Sequence, residues 1–129
     1  MENYGQSEFG FEDLDVYQAA RSLRHQVYEL ARQLPPEEKY SLGQQLRRAA
    51  VSLTSNIAEG YGRHHWQENS QFRHSRGSLM EIVDQFGVCL DENYAQADHV
   101  IALREEALTV LRLLNGYIAY LQRQKTKQE

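Results

Sequence analysis

Four stretches of this 129-residue chain carry apolar residues at intervals of three and four positions. That interval places side chains on one face of an α-helix, so each stretch predicts an amphipathic helix. The sustained two-residue alternation that marks a strand is absent from the sequence, and so is an Asn-Gly hairpin signal. Helices of about 20–28 residues joined by short loops bury their apolar faces only against one another. The pattern therefore predicts an all-α, antiparallel up-down-up-down four-helix bundle.

The first two helices have recognisable ends. The first begins near Leu14, with Asp13 as the expected N-cap, and stops at Pro35-Pro36 because proline lacks an N–H and restricts the residue before it. The second begins after a short turn, where Ser41 and Gln44 fit a capping box.

Glycine ends the second helix, and the last two helices are longer. Gly60 and Gly62 suit a helix C-terminus because glycine accepts the left-handed conformation. The third helix is predicted over about residues 66–94, and the fourth from the N-cap Asp98 to beyond Leu121. The apolar positions expected to build the shared core are Leu14, Tyr17, Ala20, Leu23, Val27, Leu30, Ala31, Leu34, Leu42, Leu46, Ala49, Ala50, Leu53, Ile57, Tyr61, Phe72, Leu79, Ile82, Val83, Phe86, Leu90, Tyr94, Val100, Ile101, Leu103, Ala107, Leu108, Leu111, Leu114, Ile118 and Leu121.

The length and composition predict one globular domain, with 41% apolar and 25% charged residues. We expect a flexible N-terminus at residues 1–10, the bundle at residues 11–123 and a polar tail at residues 124–129. No apolar run is long enough to span a membrane, and the acidic N-terminal stretch does not resemble a signal peptide. With Cys89 as the single cysteine, a disulfide framework is excluded. These features predict a cytoplasmic protein.

The pattern of titratable residues predicts no catalytic site, no metal and no cofactor. His64 and His65 are adjacent and point about 100° apart on a helix, so both cannot face one metal. The inward-facing Glu-x-x-His pairs of di-iron bundles are missing, and no nucleophile elbow is present. Cys89 follows Val88 on an apolar helix, where a buried inert thiol is expected. The sequence therefore predicts a protein that is not an enzyme.

Charge is unevenly distributed along the chain, whose net charge is −4. Residues 41–80 contain five arginines and two glutamates, which gives +3. Arginine and histidine near an aromatic residue are able to bind phosphate and stack on bases. The candidate nucleic-acid-binding residues are Arg63, His64, His65, Arg73 and Arg76, close to Trp66. The interpretation we favour is solvated charge at a helix start, or arginines paired with a neighbouring subunit.

The second helix also carries a polar stripe beside its apolar stripe. This polar stripe consists of Arg48, Ser52, Ser55, Asn56 and Glu59. Solvent-exposed helix faces usually carry longer helix formers, whereas small polar residues allow close approach and hydrogen bonding across a helix pair. We therefore expect the polar stripe to be a subunit interface. The alternative is a polar network inside a single bundle.

Three segments resemble a known family. They read LDVYQAA, YSLGQQLRRAAVSLTSNIAEGYGR and GSLMEI, and the resemblance covers about residues 11–123. Together they are similar to the four helix bundle protein family, whose members are encoded within intervening sequences of the 23S ribosomal RNA gene. The resemblance implies a left-turning bundle that assembles as a homopentamer around a central channel. It implies no established enzymatic activity, cofactor or catalytic residue.

A distant relative of that family is the accessory variability protein of diversity-generating retroelements, a basic pentamer that binds nucleic acid and a reverse transcriptase. The present chain departs from it in being acidic overall. The function predicted here is a non-enzymatic homopentameric scaffold or adaptor, whose partners are further copies of itself and a protein or nucleic acid, without a membrane. The alternative is a ring that binds RNA or DNA through the Arg/His residues. The five-fold number rests on the resemblance alone, and a ring needs a second contact face that the sequence leaves unassigned.

Overall fold

The apolar periodicities correspond to helices in a computed structural model, which describes residues 7–63 and 65–128, with the backbone alone at residues 65, 66 and 125–128. Over those residues the chain contains four α-helices and no strand, so the fold is all-α as predicted. The helices are α1 (Asp15–Arg32), α2 (Leu42–Gly60), α3 (His65–Asp91) and α4 (Ala97–Gln128). Two short 3₁₀ helices, Gly10–Asp13 and Pro36–Glu38, precede α1 and α2.

The start of α1 differs from the prediction. Leu14, not Asp13, is the N-cap residue. The carboxylate of Asp13 instead accepts the backbone N–H of Ser7 at 3.1 Å and 3.2 Å. Asp13 therefore closes the turn before the helix. The fourth helix likewise begins at Ala97, so Asp98 lies within its first turn and is not the predicted N-cap.

Ser41 is the N-cap of α2 as predicted, but the capping box does not form. The Ser41 side chain makes no capping hydrogen bond and donates to the carboxylate of Glu38. Glu38 also accepts the hydroxyl of Tyr94 at 2.9 Å, so this carboxylate links the α1–α2 and α3–α4 connections. At the other end of α2, Gly62 adopts a φ of 83°, the left-handed conformation expected after a helix.

The core lies between all four helices. Helix α1 packs against α2 and α4, and α3 packs against the same two helices, so α1 and α3 occupy opposite corners. The completely buried side chains include Phe72 and Phe86 from α3, surrounded by leucines from the other three helices. Burying these aliphatic and aromatic faces against one another is the dominant favourable contribution to folding.

Four residues expected in the core are exposed instead. The exposed fractions are 40% for Tyr61, 42% for Leu90, 57% for Ile101 and 48% for Leu108. A helix in a bundle buries only one stripe of its surface. Leu90 lies beside the buried stripe of α3, Ile101 and Leu108 lie on the side of α4 that is turned away from its buried positions, and Tyr61 follows the last residue of α2. The chain therefore has more apolar residues at helical spacing than its own core buries. No helix in the described part of the chain is long and apolar enough to cross a membrane.

Candidate functional site

The polar side chains of α2 meet α3 in a small hydrogen-bonded network. The Ser78 hydroxyl donates to the Ser52 hydroxyl at 2.9 Å. The Asn56 amide donates to the Ser52 carbonyl at 2.9 Å and to its hydroxyl at 3.1 Å. All three side chains are half-buried. We call Ser52, Asn56 and Ser78 the α2–α3 seam.

A buried hydrogen bond lies beneath this seam and fixes how close the two helices are. The hydroxyl of Ser75, which is fully buried, donates to the backbone carbonyl of Leu53 at 2.8 Å. Near the end of α2, a Cβ placed on Gly60 would lie 2.8 Å from the Cβ of Gln71. Helices α2 and α3 therefore approach each other closely, which small side chains permit.

An open groove of about 500 Å³ runs along the α2–α3 seam. Its exposed charges have both signs, with the carboxylates of Glu59 and Glu81 and the guanidinium of Arg73. The lining residues are Ser52, Asn56, Glu59, Gln71, Arg73, His74, Gly77, Ser78 and Glu81. A mixed, polar, open groove of this kind suits a polar protein surface better than an apolar small molecule, whose sites are mostly enclosed and apolar.

The polar stripe predicted as an interface is divided by the structure. Ser52 and Asn56 contribute to the hydrogen-bonded seam, and Glu59 lines the groove at its side. Ser55 is half-buried outside the groove, and Arg48 is exposed. The stripe thus combines an internal network with an open face, and its role as a subunit interface stays a prediction.

The residues predicted to bind nucleic acid are only partly described. Arg63 is exposed just after α2. His64 lies outside the described residues, and only the backbone of His65 is described, so its side chain is not placed.

The two arginines of that prediction on α3 point to different sides of the helix. Arg73 lines the α2–α3 groove, and its Nε donates to Asn69 at 2.7 Å. Arg76 donates from Nη1 to Asn115 of α4 at 2.8 Å. The structure therefore does not gather Arg73 and Arg76 into one surface.

A basic groove on α1 was missed by the sequence reasoning. It has a volume of about 260 Å³ and is lined by Arg21, Arg24, His25, Tyr28 and Arg32. These residues follow one another at steps of three, one, three and four, which places them along one side of the helix. That spacing was visible in the sequence. A net-charge count does not reveal this basic side of the helix, because residues 1–40 together hold four basic and eight acidic residues.

The exposure of large apolar side chains on α3 and α4 was also missed. Met80 and Leu90 of α3 and Ile101 and Leu108 of α4 are all exposed. Ile101 and Leu108 lie seven residues apart, so they occupy the same face of α4. Exposed apolar side chains indicate a protein–protein contact where they form a contiguous patch.

Comparison with known proteins identifies the family of this chain. Residues 12–116 match the sequence profile of a family described as 23S rRNA-intervening sequence protein. The chain belongs to that family. No curated protein matches the sequence.

The family match covers α1, α2, α3 and the larger part of α4, up to Gly116. It therefore includes the α2–α3 seam and the α1 groove, and it confirms the resemblance found in the sequence. The last residue of the match directly precedes Tyr117, which is half-buried against α3.

Tyr117 contacts Glu68, a buried acidic residue of α3. Its hydroxyl donates to the carboxylate of Glu68 at 2.9 Å, and Glu68 is buried. Its ring stacks on Phe72 with the centroids 4.5 Å apart. Burial, and then the hydrogen bond to Glu68, raises the pKa of the Tyr117 phenol far above its usual value. The pair joins α3 to α4 and has a structural role.

The remaining reactive groups offer little chemistry. Cys89 is fully buried, and burial raises the pKa of its thiol, which keeps the sulfur protonated and unreactive. Across the described ranges 7–63 and 65–128, no group of three or more His, Cys, Asp or Glu side chains is arranged to hold a metal ion.

Proposed function

We propose that this chain is a non-enzymatic, cytoplasmic scaffold or adaptor whose antiparallel bundles assemble into a homopentameric ring. The observation that carries the proposal is the α2–α3 seam. There, small half-buried polar side chains line an open groove of about 500 Å³ on one side of the bundle. This is the surface that the polar stripe predicted as a subunit interface.

Contacts between α2 and α3 support the alternating helix direction. Ser52 meets Ser78, whereas Gly60, later in α2, approaches Gln71, earlier in α3. Partner numbers fall along one helix as they rise along the other, which is the relation expected for antiparallel neighbours. The short connections at residues 33–41 and 92–96 favour the same arrangement for the other sequential pairs.

The α2–α3 groove has the chemistry of a protein contact. Ser52, Gly77 and Ser78 in the groove are small, so an approaching helix is able to reach the backbone level without displacing long side chains. Glu59, Glu81 and Arg73 surround the small residues with charges of both signs. Interfaces commonly combine close packing at the centre with a polar, solvent-accessible rim.

The exposed apolar residues of α3 and α4 are our candidate for the second contact face of the ring. A ring needs two different faces on each subunit, because each copy contacts one neighbour with each. Both faces here include α3, so they lie on neighbouring sides of the bundle. Faces inclined to each other in this way are compatible with a ring, which forms when the rotation between neighbouring copies closes.

Nucleic-acid binding through Arg63, Arg73 and Arg76 is the rival function. The scaffold is favoured over it because Arg73 and Arg76 bind side chains on different sides of α3. The proposal of a non-enzymatic role is supported by the largely aliphatic interior, in which the buried hydroxyl of Ser75 is tied into a helix–helix hydrogen bond.

Native mass spectrometry of the full chain tests the scaffold. The wild type is expected at five times the subunit mass of 15.0 kDa. Introducing Ser52→Arg with Ser55→Arg should give the single-chain mass, because two long cations prevent close approach. The matched control, Ser22→Arg with Gln33→Arg, adds the same charge within α1 and at its C-cap, where neither residue belongs to a proposed contact face, and should keep the oligomer.

Circular dichroism should show the same helical content in all three proteins. A wild type at the mass of one chain would remove the scaffold proposal. An intact oligomer in the Ser52/Ser55 variant would remove the α2–α3 groove as the contact. Extra mass that nuclease digestion removes from the wild type, and that is lost from an Arg63→Ala, Arg73→Ala, Arg76→Ala variant, would move the rival function to first place.

A further inference from the structure

The basic groove on α1 has no part in the proposed ring contacts, which involve α2, α3 and α4. Three arginines, a histidine and a tyrosine line its volume of about 260 Å³. Among the residues that line it there is no carboxylate. The carboxylate of Glu29 lies 3.1 Å from Nε2 of His25, one of the lining residues.

One of these arginines is held in place by the fold. Arg24 is half-buried and donates from Nη1 to the hydroxyl of Thr54 on α2 at 2.8 Å. Thr54 is buried and in turn donates to the carbonyl of Val51. The hydroxyl that orients the Arg24 guanidinium is neutral, so the positive charge remains available to an anion. A fixed, partly desolvated guanidinium loses less freedom on binding than a mobile surface side chain.

The length of the groove indicates what kind of anion fits. Arg21 and Arg32 are eleven residues apart, which is about 16 Å along a helix. A single phosphate cannot bridge that distance. A nucleic-acid strand carries one charge per roughly 3.4 Å when its bases are stacked, so several phosphates in a row match the three arginines.

The position of Tyr28 favours a single strand over a duplex as the ligand. It lies between Arg24 and Arg32 in the groove and is half-buried, so its ring has restricted freedom. Proteins that bind single strands combine a basic groove with aromatic rings on which bases stack. In a duplex the base faces are already stacked on one another and are not accessible to such a ring.

We infer that the α1 groove is a binding site for single-stranded nucleic acid, in which Arg21, Arg24 and Arg32 contact phosphates spaced along one strand and Tyr28 stacks on a base. The site lies outside the residues that the sequence suggested for nucleic acid, and it does not depend on self-assembly.

Fluorescence anisotropy with a labelled 12-nucleotide single strand of mixed sequence tests this site. The full chain should bind at low salt, and the logarithm of its affinity should fall against the logarithm of salt with a slope of about −2, the value for three phosphate contacts on a single strand. Between 50 and 200 mM salt the affinity should therefore drop roughly 20-fold. A duplex of the same sequence should bind more weakly than the single strand.

Paired variants separate the groove from overall charge. Arg21→Ala with Arg32→Ala should reduce the slope to about −0.7, because one phosphate contact remains. The control Arg112→Ala with Arg123→Ala removes the same charge from exposed positions on α4 and should leave affinity and slope unchanged. Tyr28→Leu should weaken binding at an unchanged slope, and Tyr28→Phe should restore it.

Thr54→Val tests the positioning of Arg24. It keeps every charge, so the slope should not change while the affinity falls. The variants must show the helical content of the wild type by circular dichroism.

Three results would overturn the inference. They are no binding of the single strand at 50 mM salt, equal losses in the α1 and α4 pairs, or a duplex bound as tightly as the single strand. If Arg21→Ala with Arg32→Ala left the single strand bound but reduced the oligomer mass, the groove would instead be a contact for another copy of the chain.

Discussion

Replacing Gly60 by alanine should destabilise the protein, even though alanine is the better helix former. A Cβ at this position would lie 2.8 Å from the Cβ of Gln71 and 3.4 Å from two ring carbons of Phe72. Carbon atoms in contact are normally about 3.5–4.0 Å apart. The Cβ of Gln71 is attached directly to the α3 backbone, so relief requires α2 and α3 to separate by about 1 Å.

The size of the effect follows from two opposing contributions. Overpacking of a well-packed contact costs about 1–3 kcal/mol. Replacing glycine by alanine inside a helix stabilises it by at most about 1 kcal/mol, and by less at the final residue of α2. The expected net loss is about 1–2 kcal/mol, which corresponds to a fall in Tm of about 3–10 °C for a domain of this size.

Gly116 provides the matched control. It lies within α4, and a Cβ placed on it meets no atom within 4 Å. Gly116→Ala should therefore stabilise the protein by about 0.5–1 kcal/mol, through helix propensity alone. The same chemical change should thus have opposite signs at the two positions.

Differential scanning calorimetry at one protein concentration measures both variants, because self-association makes Tm depend on concentration. Urea unfolding checks that the slope m is unchanged, so that the shift reports stability. A Gly60→Ala protein that is as stable as the wild type would refute the close α2–α3 approach. Equal falls for Gly60→Ala and Gly116→Ala would refute the reasoning from local space.

Three further substitutions test the polar contacts. Ser75→Ala should cost about 0.5–1.5 kcal/mol in urea unfolding, because it removes a buried hydrogen bond to α2; no loss would show that this bond does not stabilise the helix pair. The pKa of the Tyr117 phenol is higher in the folded protein than in the unfolded chain, so above about pH 10 the unfolded chain loses this proton first and becomes relatively more stable. The stability of the wild type should therefore fall more steeply above about pH 10 than that of Tyr117→Phe. Hydrogen bonds from Ser41 and Tyr94 lower the pKa of the Glu38 carboxyl group in the folded protein. The ionised carboxylate therefore contributes to folding stability above about pH 4.5, and this contribution is lost as the pH falls below that value. Glu38→Gln should make the loss of stability at acid pH less steep. Parallel pH profiles of wild type and variant would contradict either assignment.

The core and the helix ends were largely accessible from the sequence. Stripes such as Leu46, Leu53 and Ile57 are buried as the spacing predicts. The Pro35-Pro36 stop was also predicted correctly. The N-caps were less accessible, since Asp13 and Ser41 both found partners outside the helix they were expected to cap. Short polar side chains have several backbone and side-chain partners within reach, and the local sequence does not select one.

The interaction surfaces were less predictable. Leu90, Ile101 and Leu108 have the spacing of core residues but are exposed, because periodicity defines a face without defining what covers it. The arginines of α1 form one groove although their block of sequence is acidic. A total charge averages over all faces of a helix, whereas binding depends on a single face.

The sequence by itself determined four helices, their approximate ends, the main core stripe and membership of the family, because each of these depends on residue order alone. The tertiary structure decided which polar groups meet. It alone pairs Ser52 with Ser78, buries Glu68 beneath Tyr117 and anchors Arg24 on Thr54. These pairs are 26, 49 and 30 residues apart in the chain, so their contacts arise only from the rotation and register of the packed helices.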